Sequence, residues 1–297
     1  MVAPRADHPL GRLTTIGTGG AAEFFARAGT PAELDELLAW AAGREVDVNV
    51  VGSGSNLLVA DDGVRGLVVK LDRELAGIEV VDHGLLVGGG ARLPAVAARS
   101  AALGLSGIEF GVNIPGTLGG AVRMNANAYG GVLGRVLSWV EIHTAGGVER
   151  RGPDELGFAY RSSNLRPGEV VGRARLALDP APSEQVRARL EDLRARRHEA
   201  QPKGIRTFGS TFKNPEGETA GLLLAGAGAA GLQVGRARFS PKHANFVENL
   251  GGASTADVVD LMAEGRRLVA ERFGVELEPE VQTLGRVGFP WAGEEGR

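Results

Sequence analysis

The spacing of hydrophobic residues predicts helices and short strands along most of the chain. Leu34, Leu37, Leu38 and Ala41 recur at intervals of three and four residues, which places them on one face of a helix. Thr30 comes before them as an N-cap residue, with a proline at the first helical position and a glutamate at the third. This segment is therefore predicted to be an amphipathic helix.

Similar patterns predict four further helices, and runs rich in β-branched residues predict the strands. The helices are expected over Leu93–Leu103, Glu184–His198, Ala220–Ala230 and Ser254–Phe273. Ile78–Val87 reads as two strands around a turn. The other strands are expected at Ala22–Ala26, Val46–Val51, Gly66–Leu71, Val136–Thr144, Val148–Arg150, Val170–Leu178 and Leu277–Leu284.

Two segments fit neither pattern. Asp179–Pro182 contains two prolines between a predicted strand and a predicted helix, so we expect a linker there. The tail that follows Arg286 is expected to be disordered. Together these segments suggest where one domain ends and where the folded chain stops.

Two glycine-rich loops interrupt the elements. Gly52–Asn56 follows a predicted strand, and Gly111–Gly131 contains several glycines around Pro115. Glycine lets the backbone take positive φ and approach a ligand closely. The first loop lacks the P-loop lysine and opens into Leu57–Val59 instead of a helix, so neither a P-loop nor the Rossmann fingerprint fits.

Two such loops in one chain suggest a long, flat ligand that carries phosphate. Backbone N–H groups and the Ser53, Ser55 and Asn56 side chains could bind a pyrophosphate without any cation. For the first loop, a plain hairpin stays open as the alternative. For the second, the alternative is a glycine-rich turn into a buried helix.

Composition narrows the class of protein. At 297 residues the chain is expected to form two or three domains. Its net charge of −3 argues against a nucleic-acid-binding protein, and the lack of cysteine excludes disulfides and thiolate metal sites. The five histidines lack metal-ligand spacing, so no metal site is expected. Without a signal peptide or an apolar run of about 20 residues, a cytoplasmic protein is expected.

Two polar segments could carry chemistry. Arg161 follows two aromatic residues, and its planar guanidinium could bind a carboxylate through two hydrogen bonds; an ordinary surface arginine is the alternative. The run Gly209–Pro215 brings together a hydroxyl, an ammonium and an amide. On residue pattern alone, the better interpretation of Ser210 is a turn serine and that of Glu280 a surface strand residue.

Five motifs, taken in order, give the chain a family resemblance. They are Ile114–Ala121, Met124–Ala126, Ala159–Ser162, Gly209–Pro215 and Leu277–Val281. From about Leu13 to Gly285 the chain resembles the UDP-N-acetylenolpyruvoylglucosamine reductase (MurB) family. The short segment between Arg161 and Gly209 is typical of the short form of the family, which lacks an extra tyrosine-bearing loop.

The resemblance implies an α+β fold: a two-subdomain FAD-binding fold of the vanillyl-alcohol oxidase (PCMH) type, followed by a C-terminal α+β substrate domain. The implied boundaries are residues 1–72 and 73–182 for the two FAD-binding subdomains. Residues 183–286 would form the substrate domain and residues 287–297 a tail.

The resemblance also implies a function and its site residues. The family reduces UDP-N-acetylglucosamine enolpyruvate to UDP-N-acetylmuramate with non-covalent FAD and NADPH, for peptidoglycan synthesis. Arg161, Ser210 and Glu280 would be catalytic, with Ser210 as the acid. Tyr129, Lys213 and Asn214 would bind the substrate. FAD would be bound by Gly52, Ser53, Gly54, Ser55, Asn56, Pro115, Gly116, Thr117, Gly119 and Gly120. A monomer without nucleic-acid or membrane partners is expected.

The sequence departs from the family pattern at three positions, and two other functions stay open. Asn127 replaces a glycine, and we expect it to take the left-handed backbone that asparagine tolerates. Phe208 stands at a position where the family usually has a small residue. Gln282 stands at a position where an arginine often follows the glutamate–valine pair. A flavin-dependent alcohol or lactone oxidase of the same fold, and a non-catalytic nucleotide-sugar binding protein, are the alternatives.

Overall fold

The structure, a computed structural model, describes residues 3–200, 202 and 204–291. These residues form two compact units. Unit one contains residues 3–6, Phe24–Ser53 and Gly66–Arg197. Unit two contains Asp7–Glu23, Gly54–Arg65 and the described part of residues 198–291. Each unit is therefore built from segments that are distant in the sequence.

The helices and strands follow in chain order. The helices are Pro31–Ala42 (α1), Leu93–Ala102 (α2), Leu118–Arg123 (α3), Ser183–Ala200 (α4), Ala220–Gly226 (α5) and Thr255–Phe273 (α6). The first nine strands are Arg5–Pro9 (β1), Ala21–Ala28 (β2), Val48–Val50 (β3), Leu57–Val59 (β4), Val64–Leu71 (β5), Ile78–Val81 (β6), Gly84–Gly88 (β7), Leu105–Ser106 (β8) and Asn127–Ala128 (β9). The other nine are Gly131–Val132 (β10), Leu137–Thr144 (β11), Gly147–Arg151 (β12), Val170–Ala177 (β13), Asp179–Pro180 (β14), Gln233–Val234 (β15), Ala237–Phe239 (β16), Val247–Asn249 (β17) and Gln282–Leu284 (β18).

A five-stranded sheet in the order β12-β11-β13-β7-β6 forms the centre of unit one. All of its pairings are antiparallel, and short turns join β6 to β7 and β11 to β12. Leu85, Val140, Ile142 and Ala174 from this sheet are fully buried in one hydrophobic cluster with Leu118 of α3. The cluster holds α2 and α3 against the sheet, and α3 begins at the second glycine-rich loop.

Helix α1 packs on β5, which pairs with β3 in parallel within a sheet of order β1-β2-β5-β3. The Thr30 side chain accepts a hydrogen bond from the Glu33 N–H, and the helix ends at Gly43. The predicted face of Leu34, Leu37 and Leu38 is buried. Local capping and periodicity therefore determine this helix, as predicted.

The predicted linker contains an ordered strand. β14 pairs with β8, and the Ala181 N–H donates to the Gly104 carbonyl oxygen at 2.8 Å. Val186 and Leu190 of α4 are buried against Ala97 and Ala101 of α2. The segment expected to be a linker, Asp179–Pro182, is therefore fixed by long-range pairing. The predicted domain boundaries stay predictions.

Unit two has its own core around helix α6. Val258, Leu261 and Met262 of this helix are fully buried with Phe212 and Phe239. The Ser254 side chain accepts from the Asp257 N–H and the Asp257 carboxylate accepts from the Ser254 N–H, which together form a capping box. Gly274 ends the helix in the left-handed conformation at φ 68°.

Two small sheets complete unit two. β15, β16 and β17 form an antiparallel sheet, and β18 pairs in parallel with β4. The predicted strand Leu277–Leu284 is shorter than expected, since only its last three residues lie in β18. The β4–β18 pairing matters for the site because both strands adjoin residues with predicted roles.

The described part of the tail is ordered, contrary to the prediction. Val287, Phe289 and Trp291 pack against the hydrophobic core of unit two. The rings of Phe289 and Trp291 stack with centroids 5.0 Å apart, and the Arg266 guanidinium lies 5.4 Å from the Trp291 centroid. Apolar burial therefore orders the chain up to Trp291. Residues 292–297 lie outside the described residues.

Within the described part of the chain, none of the six helices combines the length and the apolar character needed to cross a membrane. Helix α4 illustrates this: it has 18 residues but carries many arginines and glutamates. Helix α6 has 19 residues and is capped by polar side chains.

Candidate active site

The Gly52–Asn56 loop leaves β3 and opens into β4, as the sequence predicts. Gly54 has φ 63°, and a Cβ atom there would lie 2.0 Å from the Leu13 carbonyl oxygen. The Thr15 N–H donates to the Gly54 carbonyl oxygen at 3.0 Å. Only glycine fits this position, because both its backbone conformation and its surroundings exclude a side chain.

The two glycine-rich loops meet at Gly52 and Thr117 in unit one. A Cβ atom on Gly52 would lie 2.5 Å from the Thr117 Oγ1 atom. Thr117 is the N-cap residue of α3, and its side chain accepts from the Gly120 N–H at 3.5 Å. The structure therefore brings the Gly52 backbone of the first loop against the Thr117 side chain of the second.

Hydrogen bonds to the Gly88–Ala91 segment fix the second loop. The Gly119 N–H donates to the Gly89 carbonyl oxygen at 2.8 Å, and the Leu118 N–H donates to Ala91 at 2.9 Å. A Cβ atom on Gly119 would lie 3.2 Å from the Gly89 carbonyl oxygen. Such a loop can present its backbone to a ligand with little rearrangement, because its conformation is already set.

A lysine that the sequence reading missed lies at the first loop. The Lys70 ammonium, from β5, donates to the Gly52 carbonyl oxygen. Burial lowers the pKa of Lys70, and the nearby Arg27 and Arg92 lower it further. A cation therefore lies at this loop, although the loop sequence itself contains none. A signal was present in the sequence, since Lys70 stands inside an otherwise apolar run, but only the fold connects it to Gly52.

Ser210 and Glu280 lie on neighbouring segments of unit two. The Glu280 N–H donates to the carbonyl oxygen of Thr211, the residue after Ser210, at 2.8 Å. The Lys213 N–H donates to the Glu278 carbonyl oxygen at 2.8 Å, which continues the same pairing. The structure thus brings together two of the three predicted catalytic residues, although 70 positions separate them in the sequence.

The other side of the Ser210 segment is fixed by Asn245. Its side chain accepts from the Phe212 N–H at 2.9 Å and donates to the Phe212 carbonyl oxygen at 2.8 Å. Asn245 is buried, and its own carbonyl oxygen accepts from the Thr211 N–H. The backbone of Ser210 also forms an isolated antiparallel β-bridge with Phe246. The sequence reading missed Asn245, whose role depends on this long-range pairing.

Asn56 connects the first loop to the Glu280 segment. Its side-chain amide donates to the Glu280 carbonyl oxygen at 3.2 Å, and its own carbonyl oxygen accepts from the Gln282 N–H at 3.1 Å. Gln282 begins β18, which pairs with β4 directly after the loop. A predicted cofactor residue and a predicted catalytic residue are therefore held in register.

Arg161 lies in a tight turn of unit one with φ 55°. The turn is closed by hydrogen bonds between Ala159 and Ser162 at 3.2 and 3.3 Å. The Arg161 Nη1 atom donates to the Asn127 carbonyl oxygen at 3.2 Å, and its Cζ atom lies 5.6 Å from the Tyr160 ring centroid. These contacts set the direction of the guanidinium.

The expectation of left-handed backbone at Asn127 is wrong. Asn127 lies in β9 and pairs with Val132, whereas Asn125 and Tyr129 on either side have φ 37° and 50°. The buried Asn125 side chain donates to the Ala159 carbonyl oxygen at 3.2 Å and accepts from the Gly134 N–H at 3.2 Å. Asn125 therefore holds the Arg161 turn against this loop.

The three predicted substrate residues have different surroundings. The Lys213 ammonium pairs with the Glu278 carboxylate at 3.1 Å. The Asn214 side chain accepts from the Ala220 N–H at the start of α5, at 3.1 Å, so it stabilises that helix end. Tyr129 is 47% exposed and lies near Arg197. Burial lowers the pKa of the Arg197 guanidinium, and the interaction with Tyr129 partly opposes this effect.

Comparison with known proteins identifies the domains. Residues 22–151 match the family model described as an FAD binding domain. Residues 201–284 match the model of the UDP-N-acetylenolpyruvoylglucosamine reductase C-terminal domain. A UDP-N-acetylenolpyruvoylglucosamine reductase of Rubrobacter xylanophilus is 43% identical over 95% of this chain and 96% of that relative. One of Acidiphilium cryptum is 45% identical over 97% of this chain and 92% of that relative.

A solved structure agrees with these sequence relatives. The UDP-N-acetylenolpyruvylglucosamine reductase of Thermus caldophilus superposes with a TM-score of 0.83 and 37% identity, covering 96% of this chain and all of that one. The expected fold class is confirmed: α+β, with an FAD-binding fold of the vanillyl-alcohol oxidase type and a C-terminal α+β domain. With both domains matched and relatives aligned along nearly its whole length, the chain belongs to the UDP-N-acetylenolpyruvoylglucosamine reductase family.

Proposed function

We propose that the chain reduces UDP-N-acetylglucosamine enolpyruvate to UDP-N-acetylmuramate, with NADPH as reductant and non-covalent FAD as cofactor. The observation that carries this proposal is the pairing of the Ser210 and Glu280 segments, with Asn56 of the first glycine-rich loop hydrogen-bonded to Glu280. The product is a peptidoglycan precursor, and the reaction is placed in the cytoplasm, where nucleotide sugars and NADPH are available.

The residues around the glycine-rich loops fit FAD. A side chain at Gly52 would collide with the Thr117 side chain, so the two loops can approach each other this closely only because Gly52 has none. This suits a pyrophosphate, which backbone N–H groups bind well. Gly52–Asn56 and Pro115–Gly120 would hold the cofactor. When bound, FAD supplies a carrier that takes a hydride from NADPH and delivers it to the substrate.

Arg161 and Glu280 would bind and stabilise the reacting end of the substrate. Hydride addition at C3 of the enolpyruvyl group leaves negative charge shared between C2 and the carboxylate. Arg161 would hold the carboxylate through two hydrogen bonds, with its guanidinium oriented by the Asn127 carbonyl oxygen. Glu280, if protonated, would donate a further hydrogen bond to the same carboxylate.

Ser210 would give the proton that completes the reaction. Its hydroxyl hydrogen would pass to C2 as the electron pair of the enolate-like intermediate forms the new C–H bond. A serine is a weak acid in water, but a carbanion-like carbon is basic enough to accept the proton when the two are held together. Asn245 and the Glu280 segment fix the backbone on both sides of Ser210.

The test is anaerobic stopped-flow absorbance of the purified holoprotein. NADPH should bleach the flavin band, and UDP-N-acetylglucosamine enolpyruvate should then restore it with formation of one equivalent of UDP-N-acetylmuramate. Acid precipitation should release all yellow colour into the supernatant. A colourless protein, or a reduced flavin that oxygen but not the enolpyruvyl substrate reoxidises, would overturn the proposal.

A further inference from the structure

Lys70 is the cation that lies at the first glycine-rich loop, and the proposed function does not use it. It stands in β5 between the buried Val69 and Leu71, and its ammonium crosses to the Gly52 carbonyl oxygen. Gly52 in turn lies against Thr117, where the two loops meet. Removing an ammonium group from water costs free energy, so a half-buried lysine needs a specific interaction to offset that cost.

The hydrogen bond from Lys70 fixes the orientation of one peptide in the loop. In a trans peptide the carbonyl and the following N–H point in opposite directions. When Lys70 holds the Gly52 carbonyl oxygen on the β5 side, the Ser53 N–H is directed to the opposite side of the chain. Gly52 has no side chain to restrict its backbone, so this bond helps to fix the orientation of the peptide.

We propose that Lys70 is a positioning residue for FAD, which orients the Gly52–Ser53 peptide so that the first loop can bind the cofactor's pyrophosphate. This inference rests on the proposed function, since it takes FAD as the ligand. Arg92 strengthens it, because its backbone bridges to Thr117 and its charge is felt at Lys70. Arg27 acts on Lys70 in the same direction, so the positive charge near Gly52 favours an anionic group.

The experiment measures FAD affinity of the deflavinated protein by quenching of flavin fluorescence. Lys70→Met keeps the length and apolar stem of the side chain but removes its donors, and should weaken FAD binding by roughly tenfold or more, as for one charge-assisted hydrogen bond. Lys70→Arg keeps a cationic donor and should recover most of the affinity. Arg65→Met, which removes an exposed cation from the same strand, should leave the affinity unchanged.

Competition by FAD fragments separates positioning from a general structural role. ADP carries the pyrophosphate, so Lys70→Met should weaken competition by ADP in the same proportion as binding of FAD. Riboflavin lacks the pyrophosphate, so the parent and the variant should bind it with equal affinity. The melting temperature of the deflavinated protein should change little. If Lys70→Met does not fold, Lys70→Leu, which also removes the ammonium and its donors, should give the same pattern.

Unchanged FAD affinity in Lys70→Met would overturn the inference and leave the proposed function intact. Equal loss of ADP and riboflavin binding, or a loss that Lys70→Arg fails to recover while the melting temperature falls, would also overturn it by showing a structural role alone. A parent protein that binds no FAD would instead overturn the proposed function, and this inference with it.

Discussion

At the scale of single residues, the candidate site depends on a few positions that accept one residue type. Gly54 has no room for a side chain, and the Asn245 amide makes two hydrogen bonds that a shorter or charged side chain would lose. Such positions constrain the backbone next to Ser210 and the cofactor loop. Substitutions of Ser210 itself should therefore change chemistry more than folding.

Ser210→Ala should separate the two half-reactions. The alanine keeps a small side chain but removes the only proton that the residue can give. Flavin reduction by NADPH should proceed at a near-normal rate, whereas reoxidation by the enolpyruvyl substrate should slow by roughly 10²–10⁴-fold, as for the loss of a general acid. Stopped-flow absorbance measures both rates, and Ser210→Cys should recover part of the loss.

Thr211→Val provides the matched control for Ser210→Ala. It removes the adjacent hydroxyl, which is fully buried and has no hydrogen-bond partner among the described residues, and it keeps the shape of the side chain. Both half-reactions should stay within a few-fold of the parent. Reoxidation of Ser210→Ala within the same range would show that another group is the acid.

Arg161→Lys should affect only the second half-reaction. A lysine has a point charge and cannot reproduce two parallel hydrogen bonds to a carboxylate. Flavin reduction by NADPH should be nearly unchanged, while product formation should fall by at least about tenfold. Arg150→Lys, at an arginine that pairs with Glu141, is the control. Equal loss in both half-reactions would indicate a structural role for Arg161.

At the scale of elements, the N-terminal end of helix α6 shows how one side chain joins distant parts of unit two. The Asp61 carboxylate accepts from the Thr255 N–H at 2.9 Å and from the Ala256 N–H at 3.0 Å. It thus satisfies N–H groups of the first turn that have no partner within the helix. Nearly 200 positions separate Asp61 from these residues, so this cap acts as a tertiary contact.

Asp61→Ala should destabilise the protein by roughly 1–2 kcal/mol, because two N–H groups lose their acceptor and the helix loses a favourable negative charge. Urea unfolding followed by circular dichroism measures the change. Asp62→Ala, at the exposed neighbouring position, should change the stability by less than about 0.5 kcal/mol. Equal effects from the two substitutions would contradict the capping role.

Local patterns predicted five of the six helices that the structure describes, although α5 ends at Gly226 and not at Ala230, but they did not predict the contacts between distant segments. Thr30 and Ser254 lie next to the helices they cap, so both helix starts could be read from a few neighbouring residues. Lys70, Asn245 and the strand at Asp179 take their roles from partners far away in the sequence. The order of Phe289 and Trp291 likewise depends on a core that the tail alone does not contain.

The site residues show the same difference between what local sequence predicts and what long-range contacts determine. Ser210 and Glu280 could be named only through the family resemblance, since a serine in a turn and a glutamate in a strand are ordinary residues. Their pairing through Thr211 is a property of the fold. Asn127 illustrates the reverse case, where a residue type suggested left-handed backbone that the neighbouring Asn125 and Tyr129 adopt instead.

At the scale of the whole molecule, the response of stability to pH depends on buried carboxylates. The Glu169 side chain is 3% exposed and accepts from Arg151 at 3.0 and 2.6 Å and from Arg166 at 2.8 Å. Burial alone would raise the pKa of Glu169, but the hydrogen bonds from Arg151 and Arg166 outweigh it and lower the pKa to about 2. Ionised Glu169 therefore favours the folded state.

Glu169 should contribute most to stability above its unfolded pKa of about 4.5, and this contribution should be lost as the pH falls toward about 2. Glu169→Gln should cost up to about 3 kcal/mol at pH 7 and should flatten the fall of the melting temperature between pH 4.5 and 2. Scanning calorimetry across this range measures both. Glu264→Gln, in a surface ion pair with Arg267, should alter neither appreciably.

The parallel pairing of β4 with β18 also determines when the cofactor loop can be completed. Leu57 pairs with Gln282, and Asn56 bonds to the backbone of Glu280 and Gln282, so these contacts join segments that are more than 220 positions apart. During synthesis from the N-terminus, the first loop leaves the ribosome long before the Glu280 segment does. The loop therefore lacks these contacts while the chain between them is made, and a nascent chain should be unable to retain flavin until the Glu280 segment has emerged.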